Sequence, residues 1–195
     1  AGKIWYLSAQ PTEDYASYTG VTCYDETLQE ATPDWITDQT TVSVGTGLLW
    51  TVSQDGTALT CFDGSRTRTL PLPKGFQPVS ATLEQDGLVI LENDGFRDGV
   101  CYNSKDEVLI PAGNYASIVR TQDPADETAY LLCQSYGSDY FDLFDLSGKK
   151  LAGGIHSLSS PVIHSLVHIT DSLSDGYRTL DGQWVFRVRI RDSGD

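Results

Sequence analysis

Apolar residues in this chain fall in short runs rather than long stretches. Some runs are nearly continuous, as in Leu48-Leu-Trp-Thr-Val52. Others alternate strictly: Trp184, Phe186, Val188 and Ile190 interleave with Arg187, Arg189 and Arg191. Alternation with a period of two describes a strand, here with one apolar and one basic face. Helical windows are missing, because Gly, Thr, Ser, Asp and β-branched residues crowd every candidate, while Ala, Leu, Glu and Lys rarely recur at a 3.6-residue period. Turn residues separate the runs. Asp-Gly occurs seven times, beginning at Asp55, Asp63, Asp86, Asp94, Asp98, Asp175 and Asp181. Between such runs it predicts tight hairpins with positive φ at the central residues. The chain reads as antiparallel all-β.

One element recurs. It stands as Val21-Thr-Cys-Tyr-Asp25, Leu59-Thr-Cys-Phe-Asp63 and Gly99-Val-Cys-Tyr-Asn103, with blurred copies Phe141-Asp-Leu-Phe-Asp145 and Tyr177-Arg-Thr-Leu-Asp181. Tyr24, Phe62, Tyr102 and Phe144 are spaced by 38, 40 and 42 residues, and 36 more reach Leu180. Such a period marks a repeat architecture. In the third copy the predicted strands are Pro78 to Glu84, Gly87 to Glu92, Gly99 to Asn103 and Glu107 to Ile110. The second copy gives Leu48 to Ser53, Ala58 to Phe62 and Thr67 to Leu72; the fourth gives Tyr115 to Arg120, Ala129 to Cys133, Tyr140 to Asp145 and Lys149 to Ala152.

Four short antiparallel strands per ~40 residues is the blade of a β-propeller. On the Cys-aromatic-Asp copies and segments such as Leu48 to Gly56, the chain resembles β-propeller repeat proteins in general. The resemblance implies one domain over 1–195, a ring of about five four-stranded blades with repeats near 1–38, 39–76, 77–113, 114–154 and 155–195. A fragment of a larger propeller and a β-sandwich are the alternatives. The first copy lacks a strand before Lys3 to Leu7 and the last ends on Trp184 to Ile190, so one blade would be completed from both chain ends. The Trp-Asp ending of WD40 repeats is absent; Leu180-Asp-Gly-Gln-Trp-Val185 looks like a single bacterial Trp-Gly-type repeat ending.

Composition narrows the function classes. With 27 acidic and 13 basic residues the net charge is −14, which repels phosphate backbones and anionic lipid, so nucleic acid and membrane partners are not expected. Hydrophobic content is 39 %, and no apolar run approaches the ~20 residues of a membrane helix. Residue 1 is Ala, which suggests a processed or truncated start. Low Lys with many Tyr, Thr, Ser and Gly suits an exported, bacterial-type, extracytoplasmic or cell-surface protein. Cys23, Cys61 and Cys101 occupy one position in three repeats, which holds them apart, and Cys133 lies on a different strand. Bridging needs Cα atoms within about 7 Å. All four are therefore expected as buried thiols without disulfides.

Candidate chemistry is sparse. His156, His164 and His168 cluster in sequence, but four residues of strand separate the last two by roughly 13 Å, too far to share a metal. No nucleophile elbow and no phosphate-cradling loop occur. The loop Asp94-Gly-Phe-Arg-Asp98 lacks the ligand spacing of a calcium loop. No metal and no cofactor are indicated.

The loop between second and third strands differs between copies. It is tight at Gln54 to Gly56, stretches from Ala9 to Gly20 with Tyr15 and Tyr18, holds Phe96 and Arg97 in the third copy, and holds Tyr136 and Tyr140 in the fourth. Exposed aromatics on loops are enriched at recognition sites. Tyr15, Tyr18, Phe96, Arg97, Tyr136 and Tyr140 are thus the candidate ligand-binding residues of a non-catalytic module for a protein, peptide or glycan. The alternative is a carbohydrate-active hydrolase or lyase using carboxylates in the propeller funnel.

Overall fold

The computed structural model describes residues 6–13, 16–93, 98–156, 161–170 and 174–189. Every regular element among them is a strand. A two-stranded sheet comes first: β1 (Tyr6–Pro11) and β2 (Tyr18–Tyr24). Four four-stranded antiparallel sheets follow. The second sheet is β3 (Ser43–Gly45), β4 (Leu48–Val52), β5 (Ala58–Phe62) and β6 (Thr67–Pro71). The third is β7 (Pro78–Leu83), β8 (Val89–Asn93), β9 (Gly99–Tyr102) and β10 (Val108–Ile110). The fourth is β11 (Ser117–Gln122), β12 (Ala129–Gln134), β13 (Phe141–Asp145) and β14 (Lys150–Ile155). The fifth is β15 (Val162–Ile163), β16 (Leu166–Thr170), β17 (Ser174–Thr179) and β18 (Trp184–Arg189).

Each four-stranded sheet is a meander of consecutive strands, the pattern of a propeller blade and not the Greek key of a sandwich. The strands expected in the second to fourth repeats fall where the turn residues place them. The first repeat differs. β1 runs to Pro11 and β2 starts at Tyr18, so the connection is Thr12 to Ser17, shorter than the expected Ala9 to Gly20. Polar Ser8 and Gln10 are strand residues, paired with Thr22 and Thr19. Among the described residues β18 pairs with β17 as the outer strand of its own sheet.

The recurring acidic residue builds a turn. Oδ1 of Asp25 accepts the N–H groups of Thr27 (2.8 Å) and Gln29 (3.0 Å). Asp63 does the same for Ser65 and Arg66 (both 2.9 Å), Asn103 for Lys105 (2.8 Å) and Glu107 (3.0 Å), and Asp145 for Ser147 (2.9 Å) and Lys149 (3.0 Å). Burial pushes the Asp63 and Asp145 carboxyls up, but the Ser65 and Ser147 hydroxyls, which also donate to Oδ1 (2.7 and 2.6 Å), together with these N–H groups outweigh it and hold both below the ordinary range. The chain then turns through a left-handed residue: Leu28 (φ 61°), Asp106 (φ 69°) or Gly148 (φ 84°).

The Asp-Gly pairs serve two purposes. Gly56, Gly87 and Gly182 are left-handed and each donates its N–H to the carbonyl three residues back at 2.9 Å. The preceding Asp55, Asp86 and Asp181 do not have positive φ, so these are turns finished by a left-handed glycine and not the two-residue turn expected. Gly99 and Gly176 instead lie within strands. A Cβ on Gly176 would stand 2.1 Å from the Phe186 carbonyl oxygen, so close strand approach demands glycine there.

Two compact units divide the chain: residues 1–95 with 101–108, and residues 96–100 with 109–195. In the first unit Val21, Cys23, Ile36, Val42, Leu49 and Phe62 form a core that ties β2 to the second sheet. Arg68, buried on β6, donates to Asp106 Oδ1 (2.6 Å) and to the carbonyls of Gly87 (2.9 Å) and Asn103 (2.6 Å), pinning the second sheet to turns of the third. A buried charge is tolerated only with such partners.

In the second unit Leu132, Phe141, Leu143 and Ile155 of the fourth sheet pack against Val162, Val167 and Ile169 of the fifth. Fully buried Asp123 joins the same two sheets. Its Oδ1 accepts from Ala125 (2.9 Å) and His164 (3.1 Å), and its Oδ2 from Ser165 (2.7 Å). His164 and Ser165 (φ 52° and 61°) form the left-handed turn between β15 and β16, so His164 is not on a strand with His168 as expected. The buried carboxylate fixes that turn without glycine.

Candidate functional site

The fourth sheet carries the most developed surface site, entirely within the second unit. Its β12–β13 connection, Ser135 to Tyr140, is braced from within. Gln134 Nε2 donates to the Ser138 carbonyl (2.8 Å), the Tyr140 N–H donates to Ser138 Oγ (3.0 Å), and Gly137 takes a left-handed φ of 63°. On this rigid loop Tyr136 and Tyr140 remain 46 % and 40 % exposed. Each is held nonetheless. The Tyr136 hydroxyl bonds to the Asp98 carboxylate, and burial first, then that bond and charge, push the phenol up to about 12. Asp98 in turn accepts the Gly113 N–H at 2.8 Å. The Tyr140 ring meets His156 edge-on, with centroids 5.5 Å apart. Tyr136 also borders a depression of about 250 Å³, lined by Ala116, Gln134 and residues Ser135 to Asp139.

Ser135 also borders a neighbouring pocket of about 340 Å³. Its lining combines apolar Leu109, Ile110 and Pro111 with Tyr115, Asp142 and Phe144. The Tyr115 hydroxyl donates to Asp142 Oδ2 (2.8 Å), which also receives Lys150 Nζ (2.6 Å). Burial, followed by the bond and charge of Asp142, pushes the Tyr115 phenol well above its ordinary value, so it is a donor at neutral pH. Register explains the geometry. Phe141 pairs with Ile155 and Leu143 with Ala152, which leaves Gly153 and Gly154 as a bulge opposite Asp142. A Cβ on Gly153 would stand 2.6 Å from Asp142 Oδ1, so glycine makes room for the carboxylate. The arrangement offers hydrogen-bond acceptors and an aromatic wall beside two exposed rings.

Tyr136 and Tyr140 share the fourth-sheet loop. Tyr18 lies in the first unit, half-buried against its core, and exchanges backbone hydrogen bonds with Val42 (2.7 and 2.9 Å). Tyr15, Phe96 and Arg97 lie outside the described residues. Sequence reasoning missed Tyr115, Asp142 and Lys150; the Gly153-Gly154 pair inside a strand is the signal that marks their bulge.

The remaining candidates have other surroundings. His168 Nε2 lies 2.6 Å from Asp175 Oδ1, a contact that holds the Asp175 carboxyl below its ordinary range. Among the described residues no group of three His, Cys, Asp or Glu side chains is placed to hold a metal ion. The four cysteines are buried free thiols, and desolvation pushes Cys23 and Cys61 up to about 11 and Cys101 up to about 12.

No protein-family model matches this chain, and no curated protein does either.

Proposed function

We propose that the protein is a non-catalytic binding module that receives a protein, peptide or glycan on the β12–β13 loop of its fourth repeat. The observation that carries this reading is the pairing of exposure with restraint at Tyr136 and Tyr140. Both rings face solvent, yet Asp98 holds one and His156 holds the other. Rings fixed before a ligand arrives lose little freedom on binding, which favours affinity. The depression beside Tyr136 and the Tyr115–Asp142 pocket that shares Ser135 with it supply acceptors that orient a ligand.

The test is a glycan-array and peptide-library screen of wild type against a Tyr136→Ala, Tyr140→Ala variant. Ligands found with wild type should bind the variant at least about tenfold more weakly, as expected when aromatic anchors are removed. Undiminished binding by the variant would remove the site.

A further inference from the structure

We infer that the outer edge of β18 is a second recognition surface, one that adds an extended segment of a partner protein as a further strand. The segment it fits alternates acidic and apolar residues.

The last strands of the other four-stranded sheets are each protected. β6 ends at Pro71, β10 is three residues long and followed by Pro111, and β14 carries the Gly153–Gly154 bulge with Lys150. Prolines, short length and bulges are the usual means by which a sheet edge refuses another strand. β18 has none of these beyond a register shift near Trp184. From Phe186 to Arg189 it pairs regularly with Tyr177, Gly176, Asp175 and Ser174, and its other edge is unpaired among the described residues.

Both of its faces are open. Phe186 is 58 % and Val188 49 % exposed, so the apolar face of this strand is uncovered. Phe186 continues a row of rings across the sheet, paired with Tyr177, which stacks on His168 at 5.0 Å. The opposite face of the strand carries Arg187 and Arg189. Arg187 stacks over Trp184 (4.9 Å) and donates to Ser174 Oγ (2.8 Å), which sets its direction. Among the described residues neither guanidinium has a carboxylate within ion-pair distance.

Two arginines with no carboxylate partner among the described residues, on a chain of net charge −14, select the occupant. A second β18 laid against the first would bring arginines toward arginines, which disfavours self-pairing. An acidic–apolar strand satisfies every element at once. Its backbone completes the edge, its apolar side chains cover Phe186 and Val188, and its carboxylates meet Arg187 and Arg189.

The probe is a short synthetic peptide alternating Glu with Val, read by fluorescence anisotropy at low and high salt. Saturable binding is expected, weakened by salt and at least about tenfold by Phe186→Ser. The double variant Arg187→Glu, Arg189→Glu should lose the Glu/Val peptide and gain a Lys/Val peptide. A peptide N-methylated at every residue should fail to bind, because strand addition needs its N–H groups. Circular dichroism melts matching wild type confirm that the variants fold, as expected for exposed positions. No saturable binding, indifference to charge reversal, or full binding of the N-methylated peptide would overturn the proposal. So would self-association of wild type that Phe186→Ser abolishes, since the occupant would then be a second copy.

Discussion

The fourth and fifth sheets have the same strand order and pack against each other, yet they are buried differently. β12 is buried at four consecutive residues, Tyr130 to Cys133, whereas β16 buries Val167 and Ile169 and leaves His168 between them partly open. Continuous burial means a sheet covered on both faces; alternation means one covered on a single face. The shared meander is therefore scaffold in both, and what distinguishes the sheets is what each leaves uncovered. The fourth exposes a loop, and the fifth exposes a face and an edge.

The largest effects should separate the two sheets directly. Leu143→Ala removes a fully buried side chain from the core they share and should cost about 2–5 kcal/mol in urea unfolding. Phe186→Ala, on the open face, should change stability by less than about 0.5 kcal/mol. Equal losses would mean that the fifth sheet is covered after all.

A smaller effect is expected where the sheets are joined. Asp123→Asn weakens three hydrogen bonds to one buried carboxylate and should cost about 2–3 kcal/mol. Burial pushes the Asp123 carboxyl up, but the Ser165, Ala125 and His164 amides outweigh it and hold it low. The unfolded value is about 4. Its stabilisation is thus complete above about pH 5 and lost as pH falls through the depressed folded value. Unfolding measured across that range should show a shallower acid slope for the variant; an unchanged slope would assign acid sensitivity elsewhere.

The smallest effect compares equivalent turns. Gly148 and Gly182 both adopt left-handed φ, so alanine at either should cost about 1 kcal/mol. At Gly148 the added Cβ also comes within 3.1 Å of the Leu109 carbonyl oxygen, which is backbone; at Gly182 the nearest atom is the tip of the Arg178 side chain. Gly148→Ala should therefore be the more damaging, and the reverse order in thermal melts would show that the turns are not equivalent.

Legibility followed the range of the interactions. The strands of the second to fourth repeats can be read because their turns are closed by local chemistry, such as Asp63 with Ser65 and Arg66. The His164–Ser165 turn cannot, because its stabilising partner, Asp123, is some forty residues away in sequence. Tyr136 and Tyr140 stood out as loop aromatics. Asp142 did not, since its role depends on a register shift that places Gly153 opposite it. The exposure of Phe186 is likewise invisible in an alternating strand, whose pattern states that a face is apolar and not whether anything covers it.

The Asp123 contact also bears on how such a protein can be rearranged. Repeats are usually treated as interchangeable units, free to be duplicated, deleted or transplanted. Here the hairpin that opens the fifth repeat owes its conformation to a side chain of the fourth. Moved alone into another scaffold, it would lose the anion that makes its non-glycine turn tenable. The fourth and fifth repeats would have to be moved as a pair.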